Sequence, residues 1–163
     1  MTPDIEVELS LFDASETESL ACRISNAAAP GDTICLAGDL GSGKTTFARA
    51  FIRARATRFG IEVGEVPSPT FTLVQLYEMP VGDIWHFDLY RLEQPHEAIE
   101  LGIDDASRDG ICLIEWPDRL PPLTLATRLD LTFDFGGLED ERHLKISGDR
   151  SWRERIAEVL QGE

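Results

Sequence analysis

Eight consecutive residues, Gly38-Asp39-Leu40-Gly41-Ser42-Gly43-Lys44-Thr45, carry glycine, lysine and threonine at the GxxxxGK[ST] spacing of a loop that can wrap phosphate. Glycines let the backbone close around an anion with several N–H groups aimed inward, and the helix that follows presents its positive end. In such a loop Lys44 reaches the β- and γ-phosphates of a nucleoside triphosphate and the Thr45 hydroxyl ligates magnesium, with Thr46 opening the helix behind them. The competing reading is a glycine-rich turn with no ligand.

A loop of this kind needs a carboxylate to orient the metal and its waters. Glu115 ends the apolar run Gly110-Ile111-Cys112-Leu113-Ile114-Glu115, and the carboxyl ends of parallel strands converge at the edge where such loops lie. Asp88 is the other candidate, within Trp85-His86-Phe87-Asp88-Leu89-Tyr90-Arg91. A charge in so apolar a stretch is expensive unless paired or near an ion, so Asp88 either serves the site or pairs with Arg91 at the surface. His86 shares the face of Asp88 by strand period, but no acid or nucleophile sits beside it in sequence, which favours a structural role. Thr70 follows the rigid Pro67-Ser68-Pro69 and resembles the hydroxyl of a loop that closes on a γ-phosphate, although such prolines also occur in inert turns. Trp116 could stack on a ligand or fill a pocket. No arginine finger stands out, Arg91 and Arg119 being the nearest candidates.

The surrounding elements can hold such a site. Thr33 to Ala37 is a short apolar run without alternation, as expected of a central strand covered on both faces, and Thr46 to about Thr57 reads as a helix turning Phe47, Ala48, Phe51 and Ile52 inward. Ile5 to Leu11 alternates as a half-buried strand, and Ser15 with Glu18 suggests a capping box for a helix that stops near Pro30-Gly31. Phe71 to Glu78 and Ile84 to Tyr90 suggest a hairpin, and Pro95 to Leu101, ended by Gly102, a short helix. After a break at Leu120-Pro121-Pro122, Leu129 to Phe135 alternates as an edge-type strand, His143 to Ser147 adds another, and Ser151 caps a helix from Trp152 to Leu160.

The 163 residues suit one domain spanning 1–163, without disulfides. Cys22, Cys35 and Cys112 are widely spaced with no CxxC pair, so zinc is unsupported and buried thiols are the better reading of the last two. No run is long and apolar enough for a bilayer, and the N-terminus lacks the basic start and apolar core of a signal peptide, so a cytoplasmic protein is expected. Thirty acidic against 15 basic residues leave a formal charge of -15. That balance argues against holding DNA or RNA unaided, because such binding needs clustered Lys and Arg to replace counterions. It also opposes an anionic nucleotide at long range, leaving short-range donors and a metal to hold one.

Taken in order, the Gly38–Arg49 block, Pro67-Ser68-Pro69-Thr70-Phe71-Thr72-Leu73-Val74, His86-Phe87-Asp88-Leu89-Tyr90-Arg91-Leu92, Glu100-Leu101-Gly102 and Cys112-Leu113-Ile114-Glu115-Trp116-Pro117 resemble the signature of the TsaE (YjeE) family. These are small bacterial ATPases of tRNA threonylcarbamoyladenosine biosynthesis. The resemblance runs from Leu11 to about Leu131. It implies an α/β, P-loop NTPase-like fold with a mostly parallel central sheet flanked by helices and an antiparallel extension. It also implies ATP as nucleotide and Mg2+ as metal. Gly38, Asp39, Leu40, Gly41, Ser42, Gly43, Lys44, Thr45 and Thr46 would then hold the nucleotide, and Thr45 and Glu115 the metal. Asp88 would organise metal or water, and Thr70 would sit in a switch-like loop. The implied task is partner-dependent ATP hydrolysis supporting a TsaB–TsaD pair that modifies the adenosine next to the anticodon in tRNAs reading codons beginning with A. This chain would meet tRNA only through those partners. Ala50 departs from the family, where glycine is common. A small-metabolite kinase and a nucleotide-gated binding module with little turnover are the alternatives. The kinase would need an acceptor pocket and a lid arginine cluster that the sequence does not offer.

Overall fold

The structure, a computed structural model, describes residues 3–120 and 127–161, so the proline break at 121–122 and the first two residues lie outside the described residues. The strands are β1 (Ile5–Leu11), β2 (Thr33–Gly38), β3 (Val74–Tyr77), β4 (Ile84–Asp88), β5 (Ile111–Glu115), β6 (Arg128–Phe135) and β7 (Arg142–Gly148). The helices are α1 (Ala14–Ala27), α2 (Lys44–Arg58), α3 (His96–Glu100), α4 (Ile103–Asp109) and α5 (Arg150–Gln161).

All seven strands join one sheet in the order β1-β7-β6-β2-β5-β4-β3. Pairing is parallel across β6-β2-β5-β4 and antiparallel at β1–β7, β7–β6 and β4–β3. The sheet is therefore mixed, with the expected parallel centre and antiparallel strands added at both sides. Short connections join β3 to β4 and β6 to β7, and a short connection can only return the chain antiparallel.

Period-two alternation in the central strands feeds two cores. Ile34 and Leu36 of β2, with Ile111 and Leu113 of β5, pack under α1, α2 and α5 against Leu20, Ile24, Phe47, Phe51 and Trp152. Cys35, Cys112 and Ile114 point to the opposite face, beneath α3 and α4, among Phe87, Leu89, Ala98 and Ile103. Covered on both sides, β5 is buried at all five positions and β2 at its first four, which is why neither alternates in sequence. Burial pushes the Cys35 and Cys112 thiols up to about 12.

β6 corrects an expectation. Its alternation suggested an edge, yet it lies inside the sheet between β7 and β2. Leu129, Leu131 and Phe133 enter the first core, while Arg128 and Asp130 pair at 2.9 Å on a half-exposed opposite face. Alternation there reports a strand face without a covering helix, not a position at the edge.

Other boundaries shift for local reasons. β3 starts at Val74 rather than Phe71 because Leu73 takes φ 70° and its N–H closes a turn on the Pro69 carbonyl. α1 is capped by Asp13 rather than Ser15. The Asp13 carboxylate accepts from the Glu16 N–H, and Glu16 in turn accepts from the Phe12 N–H. α5 begins at Arg150 rather than Trp152, with Asp149 accepting from the Ser151 N–H. Gly102, at φ 86°, ends the short α3 segment and opens α4, a helix not expected from the sequence.

Candidate functional site

β2 delivers the chain to Gly38 at the centre of the sheet, and α2 carries it away from Lys44. Gly38 has φ 140°, and a Cβ there would stand 2.5 Å from the Phe133 carbonyl oxygen and 2.6 Å from Ser42 Oγ. Only glycine fits that crossing. Gly43, at φ 118°, precedes the helix without a side-chain cap, so the first amides of α2 face the loop with their positive ends open. Asp39 and Leu40 are exposed at the loop tip. Ser42 Oγ is buried with no hydrogen-bond partner among the described residues.

Lys44 is only 4% exposed, and its ammonium donates to the carbonyls of Gly38 at 2.6 Å and Asp39 at 2.8 Å. Burial lowers its pKa, against the opposing influence of Glu115, Asp88, Asp39 and Asp118. The Trp116 ring covers it, with the centroid 4.3 Å from Nζ, and the Tyr90 ring packs against Trp116 at a centroid distance of 4.8 Å. Trp116 itself takes a left-handed φ of 61°. The ring forms a wall over the lysine.

Strand register gathers the carboxylates. Leu36 pairs with Glu115 and Asp88 pairs with Glu115, so β2, β5 and β4 end at the same edge. The Thr45 hydroxyl donates to Glu115 Oε1 at 2.9 Å. Asp88, 4% exposed, accepts from the Tyr90 N–H at 3.0 Å and from the Thr70 hydroxyl at 3.2 Å, and Thr70 also contacts Ser68 Oγ at 2.8 Å. Asp88 is thus no surface partner of Arg91, whose guanidinium lies over Phe71. Arg119 donates to the Leu92 carbonyl.

Lys44, Thr45, Thr70, Asp88, Glu115 and Trp116 line one cavity of 160 Å³ together with loop residues and Ser68. Among the described residues no arginine is in that lining. A larger hollow of 410 Å³ lies at the other ends of β4 and β5, lined by Asp83, Asp105, Asp109 and Trp85. Its carboxylates would repel phosphate, so size does not locate this chemistry. A separate 100 Å³ hollow beside the loop is bordered by Gly41, Gly43 and Thr46, by Asp13 and Thr17 at the start of α1, and by Asp140 and Arg142.

A family model described as Threonylcarbamoyl adenosine biosynthesis protein TsaE matches residues 11–144. The chain belongs to the TsaE family. It is 40% identical over 153 residues to the tRNA threonylcarbamoyladenosine biosynthesis protein TsaE of Rickettsia felis, covering 94% of this chain and 86% of that one. The TsaE of Bacillus subtilis is 36% identical over 146 residues, covering 89% and 87%. The crystal structure of Bacillus subtilis YdiB superposes with a TM-score of 0.72 at 28% identity, over 96% of this chain and 95% of that one.

The five motif blocks that carried the TsaE resemblance all fall within the matched residues. Two contacts escaped the sequence. His86 Nε2 lies 2.7 Å from Glu115 Oε2, an acid 29 residues away that only the β4–β5 register brings close. Arg142 of β7 donates to the Gly41 carbonyl at 3.3 Å, across a separation of 101 residues. Residue spacing holds no signal for either. Among the described residues no group of three or more His, Cys, Asp or Glu could hold a metal ion alone, and no helix is long and apolar enough to cross a membrane.

Proposed function

We propose that this chain binds ATP with magnesium in its Gly38–Thr46 segment and hydrolyses it as a subunit of tRNA threonylcarbamoyladenosine biosynthesis, the process named for its relatives. The observation that carries the reading is the 2.9 Å contact between the Thr45 hydroxyl and Glu115, beside the uncapped amides of α2. A hydroxyl and a carboxylate are hard oxygen donors suited to Mg2+, which completes its shell with water and substrate phosphates rather than with a full protein cage. Thr45 and Glu115 would hold the ion, which when bound neutralises phosphate charge.

The chain's own residues supply the rest. Two of the three Lys44 N–H donors are taken by carbonyls, and the third is available to a phosphate oxygen. Ser42 Oγ adds a buried polar atom in need of a partner. Asp88, held from both sides by Tyr90 and Thr70, can orient a water and take its proton as that oxygen bonds to the γ-phosphorus and the β–γ anhydride breaks. Thr70 links this acid to the Pro67-Ser68-Pro69 segment, a suitable place for a partner to act.

Among the described residues no arginine lines the cavity, and Arg142, which reaches the Gly41 carbonyl, borders a separate hollow, so the cavity itself lacks the extra positive charge that phosphoryl transfer gains from a finger. Hydrolysis by the isolated chain should therefore be slow, with a TsaB–TsaD-type pair raising it. The net charge of -15 leaves tRNA to those partners. Phosphate release from ATP, measured with and without the pair, tests this. Slow release alone and faster release with the pair are expected, whereas equal, fast rates would overturn partner dependence.

A further inference from the structure

His86 is fully buried, an imidazole in a strand whose other residues are Ile84, Trp85, Phe87 and Asp88. Its Nε2 stands 2.7 Å from Glu115 Oε2, while Glu115 Oε1 takes the Thr45 hydroxyl at 2.9 Å. The two carboxylate oxygens are thus held from opposite sides, one by β4 and one by the first turn of α2. Glu115 is 2% exposed, so the protein rather than solvent decides how its carboxylate is turned.

The donor can be assigned. An ionised carboxylate only accepts, so the hydrogen lies on Nε2. His86 Nδ1 has no partner among the described residues. The geometry therefore uses the hydrogen on Nε2, which faces Oε2.

We propose that His86 is a positioning residue for Glu115. Its N–H fixes the carboxylate plane so that Oε1 stays aimed at the Thr45 hydroxyl, where the ion is to be held. This rests on the reading of Thr45 and Glu115 as the magnesium pair. Without the donor, Oε2 is a buried acceptor with nothing to satisfy it, and the carboxylate is free to turn towards the Lys44 ammonium, whose field it already shares. Groups that orient a ligand of this kind commonly alter metal affinity by about 10- to 100-fold when removed.

The test is a magnesium chloride titration of equilibrium binding of a fluorescent N-methylanthraniloyl ATP, with EDTA as the metal-free arm, on the full chain and on His86→Leu, His86→Gln and Glu115→Gln. His86→Leu should raise the half-saturating Mg2+ roughly tenfold or more while nucleotide binding in EDTA stays within about twofold. His86→Gln, whose amide N–H can replace Nε2–H, should recover most of that loss. If His86→Leu does not fold, His86→Asn takes its place, because its shorter amide cannot reach Glu115. An unchanged magnesium requirement in His86→Leu, or equal losses in Leu and Gln variants that both fold, would overturn the proposal. If Glu115→Gln shifts the requirement and His86→Leu does not, only the role of His86 fails. If Glu115→Gln also leaves it unmoved, the magnesium pair fails with it.

Discussion

Asp88 and Glu115 face each other across the last rung of the β4–β5 ladder, both almost wholly buried. Neighbouring strands lie about 4.8 Å apart, so two carboxylates there repel unless each is supplied with donors. Tyr90 N–H and the Thr70 hydroxyl serve Asp88, His86 and the Thr45 hydroxyl serve Glu115, and the Lys44 ammonium feels both acids. The phosphate loop and the carboxylate pair thus form one electrostatic unit.

With a nucleotide held there as proposed, binding should be sensitive to alkali. Burial lowers the Lys44 pKa, so the free protein loses this charge at lower pH than an ordinary lysine. A triphosphate prefers the ammonium and draws the pKa back up. Affinity should be full below the free-protein pKa and decline as pH rises through it. Folding has the opposite sign: the cost of the buried ammonium is present below the folded pKa and vanishes above the unfolded one. Fluorescent-nucleotide affinities from neutral pH into the alkaline range check the first trend. A constant affinity across that range would contradict it.

Asp32 and Arg155 tie α5 to the start of β2. The guanidinium reaches both Asp32 oxygens, at 2.6 and 3.1 Å, donates to the Ala27 carbonyl and lies 3.6 Å from the Trp152 ring centroid. Asp32 is buried, so Arg155→Ala leaves a carboxylate with only the Ala29 N–H. Urea denaturation should show a loss of about 2–3 kcal/mol, below the usual range for a fully buried pair because Arg155 is partly solvated. A loss under about 0.5 kcal/mol would mark the pair as a surface contact.

The cysteines should separate by accessibility. Cys22 is exposed, whereas Cys35 and Cys112 are buried with thiols pushed up to about 12. A thiol-specific chromogenic disulfide at pH 8 should titrate Cys22 promptly in the native protein, and Cys35 and Cys112 only after denaturation. Prompt reaction of all three would contradict the buried assignment of β2 and β5.

Much of this arrangement is legible in the sequence because its signals are local. β2 and β5 show themselves as unbroken apolar runs, and Glu115 and Gly38 stand out because they end those runs. The register that joins them is not local. His86 reads as structural in sequence because its acid lies on another strand, and Arg142 approaches the loop only through the β6–β7 hairpin. α4 escapes because only Ile103 and Ala106 are buried on it, too few to create a helical period. β6 misleads because alternation measures how many faces are covered and says nothing of how many neighbours a strand has.

The Gly38–Thr45 loop and Glu115 are proposed to hold one magnesium nucleoside triphosphate together. Calorimetric titration of ATP into the protein, with magnesium and then with EDTA, and again with Lys44→Ala, tests it most directly. Saturable one-to-one binding that weakens without magnesium is expected, with Lys44→Ala weaker by about 10- to 100-fold, as losing a charge-assisted hydrogen bond of roughly 1.5–3 kcal/mol implies. Equal affinity in Lys44→Ala and the parent, or no saturable binding by the parent at all, would contradict the claim.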